Sequence, residues 1–386
     1  MTVRLITATE DLPALETGWR RLAAAQAKPA LWETVDWFRA WLSAPAKGAT
    51  PFVLTVESAG ELLALAPLMR RWRTVHGMPV RSLEGITTDF PNAPVLYAPD
   101  SPDAVAAIGD WLRKNRQEWD RLHIRHVDLS REAVARFRSA VGALPHYLET
   151  SNASPWIPVA GTFDAYFRGL SGNFRRTLKN KANRLAKRGT VSVRRYPGAA
   201  PLAEGMAAAM AVAEASWQGL QGTAISAPSQ APFYRDGATG FAERGMLALY
   251  LLYLEDRPIA FEYDLLYRSC LFSLKWGYHP DYGEFSPGAL LKKAVLEEAF
   301  ASDIREVDLL GSADFYKLRW TSDIRPYHDL TVHSGTPRLW LDYFLRARVA
   351  PLLRWGRNAG QRFRGGRGVP PGGASGEPKP GPRMMN

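Results

Sequence analysis

Along the C-terminal half of the chain, hydrophobic and polar positions first alternate with the period of strands and then with that of a helix. Three short segments rich in Leu, Tyr, Phe and Ile, at 247–254, 259–267 and 270–278, are separated by polar turns and predict an antiparallel meander. Pro and Gly in the polar stretch that follows end the third strand, because Pro has no amide hydrogen and Gly favours positive φ. Apolar residues then recur at helical spacing over 289–301, and a further strand is predicted at 304–310.

The N-terminal half shows a similar mixture of patterns. Trp37 and Trp41 are four residues apart in one predicted helix, so we expect them to pack in a core rather than to line a sugar site. Together the two halves indicate an α+β fold with mixed, mostly antiparallel sheet flanked by helices. Strands are predicted at 3–7, 52–57, 62–71, 80–83, 119–124 and 147–150, and helices from residue 12 and at 35–43, 103–115, 131–141, 174–188, 201–218 and 232–243.

The formal net charge of +11 is concentrated in two segments. Residues 168–195 contain ten Arg or Lys and no acidic residue, and residues 337–386 contain another ten against two acids. In the first segment, basic residues surround the apolar stripe of the helix predicted at 174–188. That basic face is either ordinary solvated surface or a site for an anionic partner.

The length and composition of the chain restrict the class of protein to which it can belong. A length of 386 residues, with 46% hydrophobic and 23% charged residues, suits two globular domains. The single cysteine, Cys270, excludes an internal disulfide, and its place in a predicted strand indicates a buried thiol rather than a nucleophile. No signal sequence or membrane-spanning apolar run is recognisable, so we expect a cytoplasmic protein. The seven histidines lack metal-ligand spacing, and we expect no metal.

The character of the chain changes after residue 336. Apolar and aromatic residues alternate with Arg over 339–357, which predicts a basic amphipathic helix within 337–360. That helix would lie on an anionic membrane, making the protein peripheral to the inner membrane, or pack on the protein's own body. Residues 361–386 are rich in Gly, Pro and Arg and contain too few apolar residues to fold, so we expect a disordered tail.

The turn before the helix at 289 is the first candidate site. A helix N-terminus offers unpaired amides and the positive end of the macrodipole, which together form a phosphate site. The other interpretation is that Ser286-Pro287-Gly288 simply caps the helix. The order of elements favours the phosphate site, because a meander, this turn, a helix, a strand, a short helical piece and a last strand is the order of GNAT-type acyltransferases.

Three motifs strengthen this likeness. They are Ser286-Pro287-Gly288-Ala289-Leu290-Leu291, Val307-Asp308-Leu309-Leu310-Gly311 and Tyr316-Lys317-Leu318-Arg319-Trp320. Together they resemble the acetyltransferase family associated with cellulose and exopolysaccharide biosynthesis (CelD/BcsL-like), which is similar in architecture to the Fem-type tandem-GNAT transferases. The resemblance implies a degenerate GNAT-like domain at 1–155 and a second at 156–336 that transfers an acyl group directly from acetyl-CoA, or another acyl-CoA, to a saccharide-linked or other polar acceptor.

The resemblance also implies where the substrates bind. Backbone amides of the strand before the turn polarise the thioester carbonyl in GNAT enzymes, and here that strand ends at 276–278. Trp217 and Tyr234 are expected in the wall of the acceptor groove. Arg175 and Lys179 of the basic helix are candidates for the 3′-phosphate of coenzyme A or an acidic acceptor, which we favour over RNA. The predicted acyl-CoA contacts are Trp276, Gly277, Tyr278, Gly283, Phe285, Ser286, Pro287, Gly288, Ala289, Leu290 and Lys317.

Direct transfer also requires a base and an acid, and the sequence has neither a GxSxG motif nor a Cys/His pairing. Asp308 matches the family motif at a strand end, where burial would raise its pKa towards that of a base. Glu262 is either a base or half of an ion pair with Lys275, which lies opposite it if Arg268-Ser269 is a two-residue turn. The resemblance makes Tyr316 the acid that protonates the departing thiolate.

Two rival functions stay open at this point. A Fem-type transferase would use aminoacyl-tRNA, bound by the basic helix at 174–188, and would not need coenzyme A. A non-catalytic scaffold would be recruited to a polysaccharide synthase at the membrane by residues 339–357.

Overall fold

The computed structural model describes residues 1–43, 48–336 and 339–344. The strands are β1 (Thr2–Ile6), β2 (Thr50–Ser58), β3 (Glu61–Val75), β4 (Met78–Glu84), β5 (Leu96–Tyr97), β6 (Arg121–Val127), β7 (His146–Pro158), β8 (Val191–Tyr196), β9 (Leu247–Leu254), β10 (Arg257–Tyr267), β11 (Cys270–Tyr278), β12 (Glu306–Asp308) and β13 (Ile324–His333).

The helices lie between these strands. They are α1 (Glu16–Ala25), α2 (Val35–Ser43), α3 (Asp103–Lys114), α4 (Glu132–Ala140), α5 (Phe163–Gly169), α6 (Gly172–Ala186), α7 (Ala199–Ala215), α8 (Trp217–Leu220), α9 (Gly237–Glu243), α10 (Pro287–Phe300) and α11 (Trp340–Phe344). Short 3₁₀ segments occupy Thr9–Leu15, Leu31–Glu33, Arg116–Glu118 and Pro280–Phe285, and Pro232–Asp236 forms a π-helical turn.

Thirteen strands of the described residues form one mixed sheet. Their order is β1-β2-β3-β4-β6-β13-β7-β12-β11-β10-β9-β8, with β5 paired to β3. The long strand β7 is at its centre, because residues 146–155 pair with β13 and residues 156–158 pair with β12. Strand β7 therefore joins the strands of the N-terminal half to those of the C-terminal half.

Three strands were not predicted from the sequence by position, namely the two-residue strand β5, β8 and β13. Strand β8 is a largely exposed edge strand without a clear apolar alternation. Strand β13 comes from the end of the second half of the chain but lies between β6 and β7. The domain boundary between residues 155 and 156 stays a prediction, and this position lies inside β7.

The predicted meander is confirmed, but one predicted pairing is wrong. Arg268 and Ser269 both have positive φ, of 50° and 58°, and form the two-residue turn between β10 and β11. This turn sets the register of the two strands, so that Asp264 lies opposite Ser273. A bulge then shifts the register, so that Glu262 lies opposite Trp276 and not opposite Lys275.

Helices cover both faces of the C-terminal part of the sheet. On one face Leu291 and Val295 of α10 share a core cluster with the strand residues Tyr250 and Leu271. On the other face Met206 of α7 belongs to the core cluster that contains Leu249. The expectation of buried Trp37 and Cys270 side chains is confirmed, with exposed fractions of 0% and 2%.

The segment after residue 336 is described only in part. The described chain divides into a unit that ends at Leu339 and a second unit that begins at Trp340. Of the amphipathic helix predicted within 337–360, only residues 339–344 are described, and α11 lies there. The rest of that prediction, and the tail predicted at 361–386, lie outside the described residues. None of the described helices combines the length and the apolar character that crossing a bilayer requires.

Candidate active site

Strands β11 and β12 diverge and leave a cleft between them. They pair in parallel only between Cys270–Phe272 and Glu306–Asp308. Beyond this point β11 continues to Tyr278, whereas the chain after β12 turns away through Leu310 and Gly311, whose φ angles are 46° and 61°. The cleft is partly open to solvent, and its cavity volume is about 80 Å³. Its lining residues are Phe174, Glu262, Ser273, Trp276, Gly288, Ala289, Lys292, Leu309, Tyr316, Lys317, Arg319 and Trp320.

A buried polar triad of Glu262, Ser273 and Lys292 forms the base of the cleft. The Lys292 ammonium on α10 binds the Glu262 carboxylate on β10 and lies 2.9 Å from the Ser273 hydroxyl on β11. The Ser273 hydroxyl in turn donates to Glu262 Oε1 at 3.2 Å. Burial, together with the positive charge of Lys317, lowers the pKa of Lys292 to about 7. The charge of this triad therefore changes near neutral pH.

Tyr316 and Lys317 form the wall that faces β11. The ring centroids of Tyr316 and Trp276 are 4.8 Å apart. Burial raises the pKa of Tyr316, and the nearby Asp314 carboxylate adds to this, so the phenol keeps its proton at neutral pH. Lys317 Nζ donates to the carbonyl oxygen of Leu310 at 2.5 Å, which fixes the turn that leads away from β12. Burial lowers the pKa of Lys317.

The N-terminus of α10 offers fewer amides than we expected from the sequence. Ser286 has a left-handed backbone, with φ of 53°, and its side chain makes no capping hydrogen bond. Pro287 has no amide hydrogen, and the amides of Ala289 and Leu290 donate to the Ser286 carbonyl at 3.0 and 3.2 Å. Gly288 instead provides space, because a Cβ atom there would lie 3.1 Å from Cζ3 of Trp276. The missing side chain keeps the cleft open between helix and strand.

Helix α6 brings positive charge to the same corner. Lys181 and Arg184 both bind Glu284 in the turn before α10, and the Arg184 guanidinium lies 5.4 Å from the Phe285 ring centroid. The two α6 residues predicted to bind substrate do not line the cleft. Arg175 Nε donates to the Leu170 carbonyl at 3.1 Å, and Lys179 is exposed.

Asp308, one of the two residues predicted as a base, does not line the cleft. Its Oδ1 accepts from Ser154 Oγ and from the Leu310 amide, each at 2.9 Å, and its Oδ2 accepts from Arg325 at 2.6 Å. The side chain is fully buried, which raises its pKa although Arg325 opposes this. These contacts describe a structural ion pair.

The other predicted site residues divide into two groups. Glu262, Tyr316, Trp276, Gly288, Ala289 and Lys317 line the cleft, whereas Gly277, Tyr278, Gly283, Phe285, Ser286, Pro287 and Leu290 do not. Trp217 is half exposed on α8, and Tyr234 is fully buried. Among residues 1–43, 48–336 and 339–344 there is no cluster of side chains suited to a metal ion.

Sequence reasoning missed Ser273 and Lys292. The burial of Lys292 could have been predicted, because Lys292 lies on the face of α10 that Leu291, Val295 and Leu296 bury against the sheet. A lysine at a core position of a helix needs a buried partner. That requirement pointed to an acid on the strands beneath it.

The chain is similar to known acetyltransferases in part of its sequence and to Fem-type proteins in its fold. Residues 172–318 match the family model described as an acetyltransferase (GNAT) domain. No curated protein matches the sequence. The crystal structure of FemX superposes with a TM-score of 0.60 at 12% identity, over 89% of this chain and 100% of that chain.

Two further solved structures share the fold. One is the C-terminal domain (DUF2156) of a putative lysylphosphatidylglycerol synthetase from Agrobacterium fabrum, with a TM-score of 0.54 at 12% identity, over 86% of this chain and 96% of that chain. The other is L-PGS from Bacillus licheniformis, with a TM-score of 0.50 at 11% identity, over 89% of this chain and 96% of that chain. At these identities the likeness concerns the fold alone. The residues that line the cleft, apart from Arg319 and Trp320, therefore lie within the segment 172–318 that is similar to the GNAT acetyltransferase domain.

Proposed function

We propose that this protein transfers an acyl group from acetyl-CoA, or another acyl-CoA, directly to a hydroxyl or amine of a polar acceptor. The observation that carries the proposal is the buried triad of Glu262, Ser273 and Lys292 at the base of the cleft between β11 and β12. A saccharide-linked acceptor is the class that the family resemblance favours.

The thioester would lie along the open edge of β11. The Trp276 carbonyl accepts from Gln218 Nε2 at 3.0 Å on the side away from the ladder with β10. Because the N–H and C=O of one residue in a strand point to the same edge, the Trp276 amide is directed to the same side. It is our candidate donor to the thioester carbonyl, whose negative charge grows in the transition state.

The rest of the acyl-CoA molecule would pass through the space that the missing side chain of Gly288 leaves. The phosphates would then lie between the positive end of the α10 macrodipole and the cations of α6. With most first-turn amides already bonded, this binding relies on charge more than on a cradle of amides. Arg175 and Lys179 stay candidates for binding the 3′-phosphate of coenzyme A.

Glu262 is our candidate base and Tyr316 our candidate acid. Glu262 takes the proton of the acceptor hydroxyl or amine, whose lone pair attacks the carbonyl carbon. The carbon–sulfur bond then breaks, and the Tyr316 hydroxyl gives its proton to the departing thiolate. The proton on Glu262 returns to Tyr316 through solvent, so no proton is gained or lost. Lys292 and Ser273 orient the Glu262 carboxylate, and no covalent acyl-enzyme is needed.

We expect kcat to rise with pH through about 7, since Lys292 then loses its proton and the Glu262 lone pairs become available. The charge of Lys317 helps to lower the Lys292 pKa. Replacing Lys317 with methionine should therefore raise the Lys292 pKa and move this limb of the kcat–pH profile to higher pH. Lys293→Met is the matched control, because Lys293 is on the solvent side of α10 and pairs with Glu297. A limb that stays in place in Lys317→Met, or moves equally in both variants, contradicts this account.

Calorimetry with free coenzyme A tests the donor site. Wild-type protein should bind, and Gly288→Glu should bind at least about tenfold more weakly, because its side chain would fill the space next to Trp276. Gly240→Glu on α9 is the control, since its Cβ would meet no atom within 4 Å. Equal binding by Gly288→Glu and wild type would remove coenzyme A from this corner.

A Fem-type aminoacyl transfer is the second candidate, favoured by the exposed basic residues of α6. It requires tight tRNA binding that weakens steeply with salt and gives no heat with acetyl-CoA. A non-catalytic scaffold would show no acyl-CoA turnover with any amino sugar or polar acceptor.

A further inference from the structure

Large apolar side chains are exposed around the mouth of the cleft. We call Trp217, Leu220, Phe315 and Leu318 the cleft rim; their exposed fractions are 49%, 89%, 80% and 40%. Single exposed apolar residues are ordinary on a protein surface. Four around one opening form a patch of the kind that contacts a partner.

Contacts made by neighbouring residues link the segments that carry the rim. Gln218, beside Trp217 on α8, donates to the Trp276 carbonyl, and the Trp276 ring contacts Tyr316, which follows Phe315. Leu318 precedes Arg319, whose guanidinium lies 4.1 Å from the ring centroid of Phe174 in the first turn of α6. Helix α8, the 315–319 turn and helix α6 therefore follow one another around the opening.

The α6 side of the opening is cationic. Arg168 on α5, Arg176 on α6 and Lys187 at the end of α6 are exposed, and residues 168–188 contain no acid. Glu284 neutralises part of this charge through Arg184. The exposed remainder lies beside an apolar rim, which is the combination found in proteins that lie on anionic bilayers.

We propose that the cleft rim and the adjoining basic face formed by α5 and α6 dock on an anionic lipid surface. Apolar rim side chains would enter the boundary between headgroups and acyl chains, and the Arg and Lys side chains would contact the headgroups. The rim has two leucines, and aliphatic side chains gain little from stacking on bases, so an anionic lipid surface fits better than RNA. Resting on the proposed function, a second step follows: the acceptor is an amphiphile whose polar group leaves the bilayer and reaches Glu262.

Co-sedimentation of the full chain with vesicles tests the docking without any turnover. The vesicles contain phosphatidylcholine alone or phosphatidylcholine mixed with phosphatidylglycerol. Two double variants probe the surface, Phe315→Ser/Leu318→Ser for the rim and Arg168→Glu/Arg176→Glu for the basic face. Their controls are Trp72→Ser, an exposed aromatic on β3, and Lys114→Glu/Arg116→Glu, which changes the net charge equally.

We expect binding to the anionic vesicles, with partitioning lowered about tenfold or more by each probe variant and unchanged by the controls. Glu262→Gln should bind vesicles like wild type, which separates docking from catalysis. Probe variants that bind as well as wild type would overturn the proposal and assign any vesicle binding to another segment. Failure to bind vesicles, with binding to a tRNA mixture that Arg168→Glu/Arg176→Glu abolishes, would overturn it in favour of RNA.

Discussion

Glu262→Gln should lower kcat for acyl transfer by about 10²–10⁴-fold, because glutamine cannot accept the proton of the acceptor. The fold should be kept, since the glutamine oxygen still accepts from Lys292 and Ser273. The measurement is steady-state turnover of acetyl-CoA against a panel of amino sugars and other polar acceptors, with calorimetry showing that coenzyme A still binds.

Glu298→Gln is the control for this substitution. Glu298 lies on the same helix as Lys292 but binds Arg195 and the Tyr250 hydroxyl near the surface. Turnover by Glu298→Gln should match wild type. Full activity in Glu262→Gln would show that another group accepts the proton, and Glu262 would then be only the structural partner of Lys292.

Arg325→Leu should lower the free energy of unfolding by about 3–5 kcal/mol, because it leaves the fully buried Asp308 carboxylate without its counter-ion. Chemical denaturation at neutral pH measures the change. Arg195→Leu breaks an exposed ion pair with Glu298 and should cost less than about 1 kcal/mol. Equal losses in the two variants would contradict the structural role of the Asp308–Arg325 pair.

Substitution of Asp308 itself distinguishes a structural role from a catalytic one. If Asp308 is structural, Asp308→Asn should be less stable but should turn over acetyl-CoA at a rate close to wild type at a temperature where it is folded. If Asp308 is the base, the chemical step should fail although the protein is folded. Its contacts with Ser154, Leu310 and Arg325 favour the first outcome.

Local patterns predicted much of the C-terminal fold but less of its chemistry. Strands β9 and β11 and helix α10 follow from the alternation and periodicity of neighbouring residues, which single segments carry. The triad depends on register and on packing between elements. The bulge in β11 moves Glu262 from Lys275 to Trp276, and α10 then brings Lys292 over it. Neither step is visible in one segment.

For Asp308, a sequence motif suggested a catalytic role, whereas its long-range contacts favour a structural one. Its place in a family motif at a strand end suggested a base, and its burial agrees with that suggestion. The guanidinium that occupies it comes from Arg325 on β13, a strand whose position between β6 and β7 the sequence did not indicate. Long-range pairing of this kind decides which buried acids are available for chemistry.

The insertion of β13 also affects how the protein is made. While the ribosome is still translating the second half, β6 and β7 have no strand between them, and their facing backbone groups stay exposed to water. The gap closes only once residues 324–333 leave the exit tunnel. The nascent N-terminal half therefore stays incompletely paired while residues 159–333 are made, a period in which chaperones would protect it.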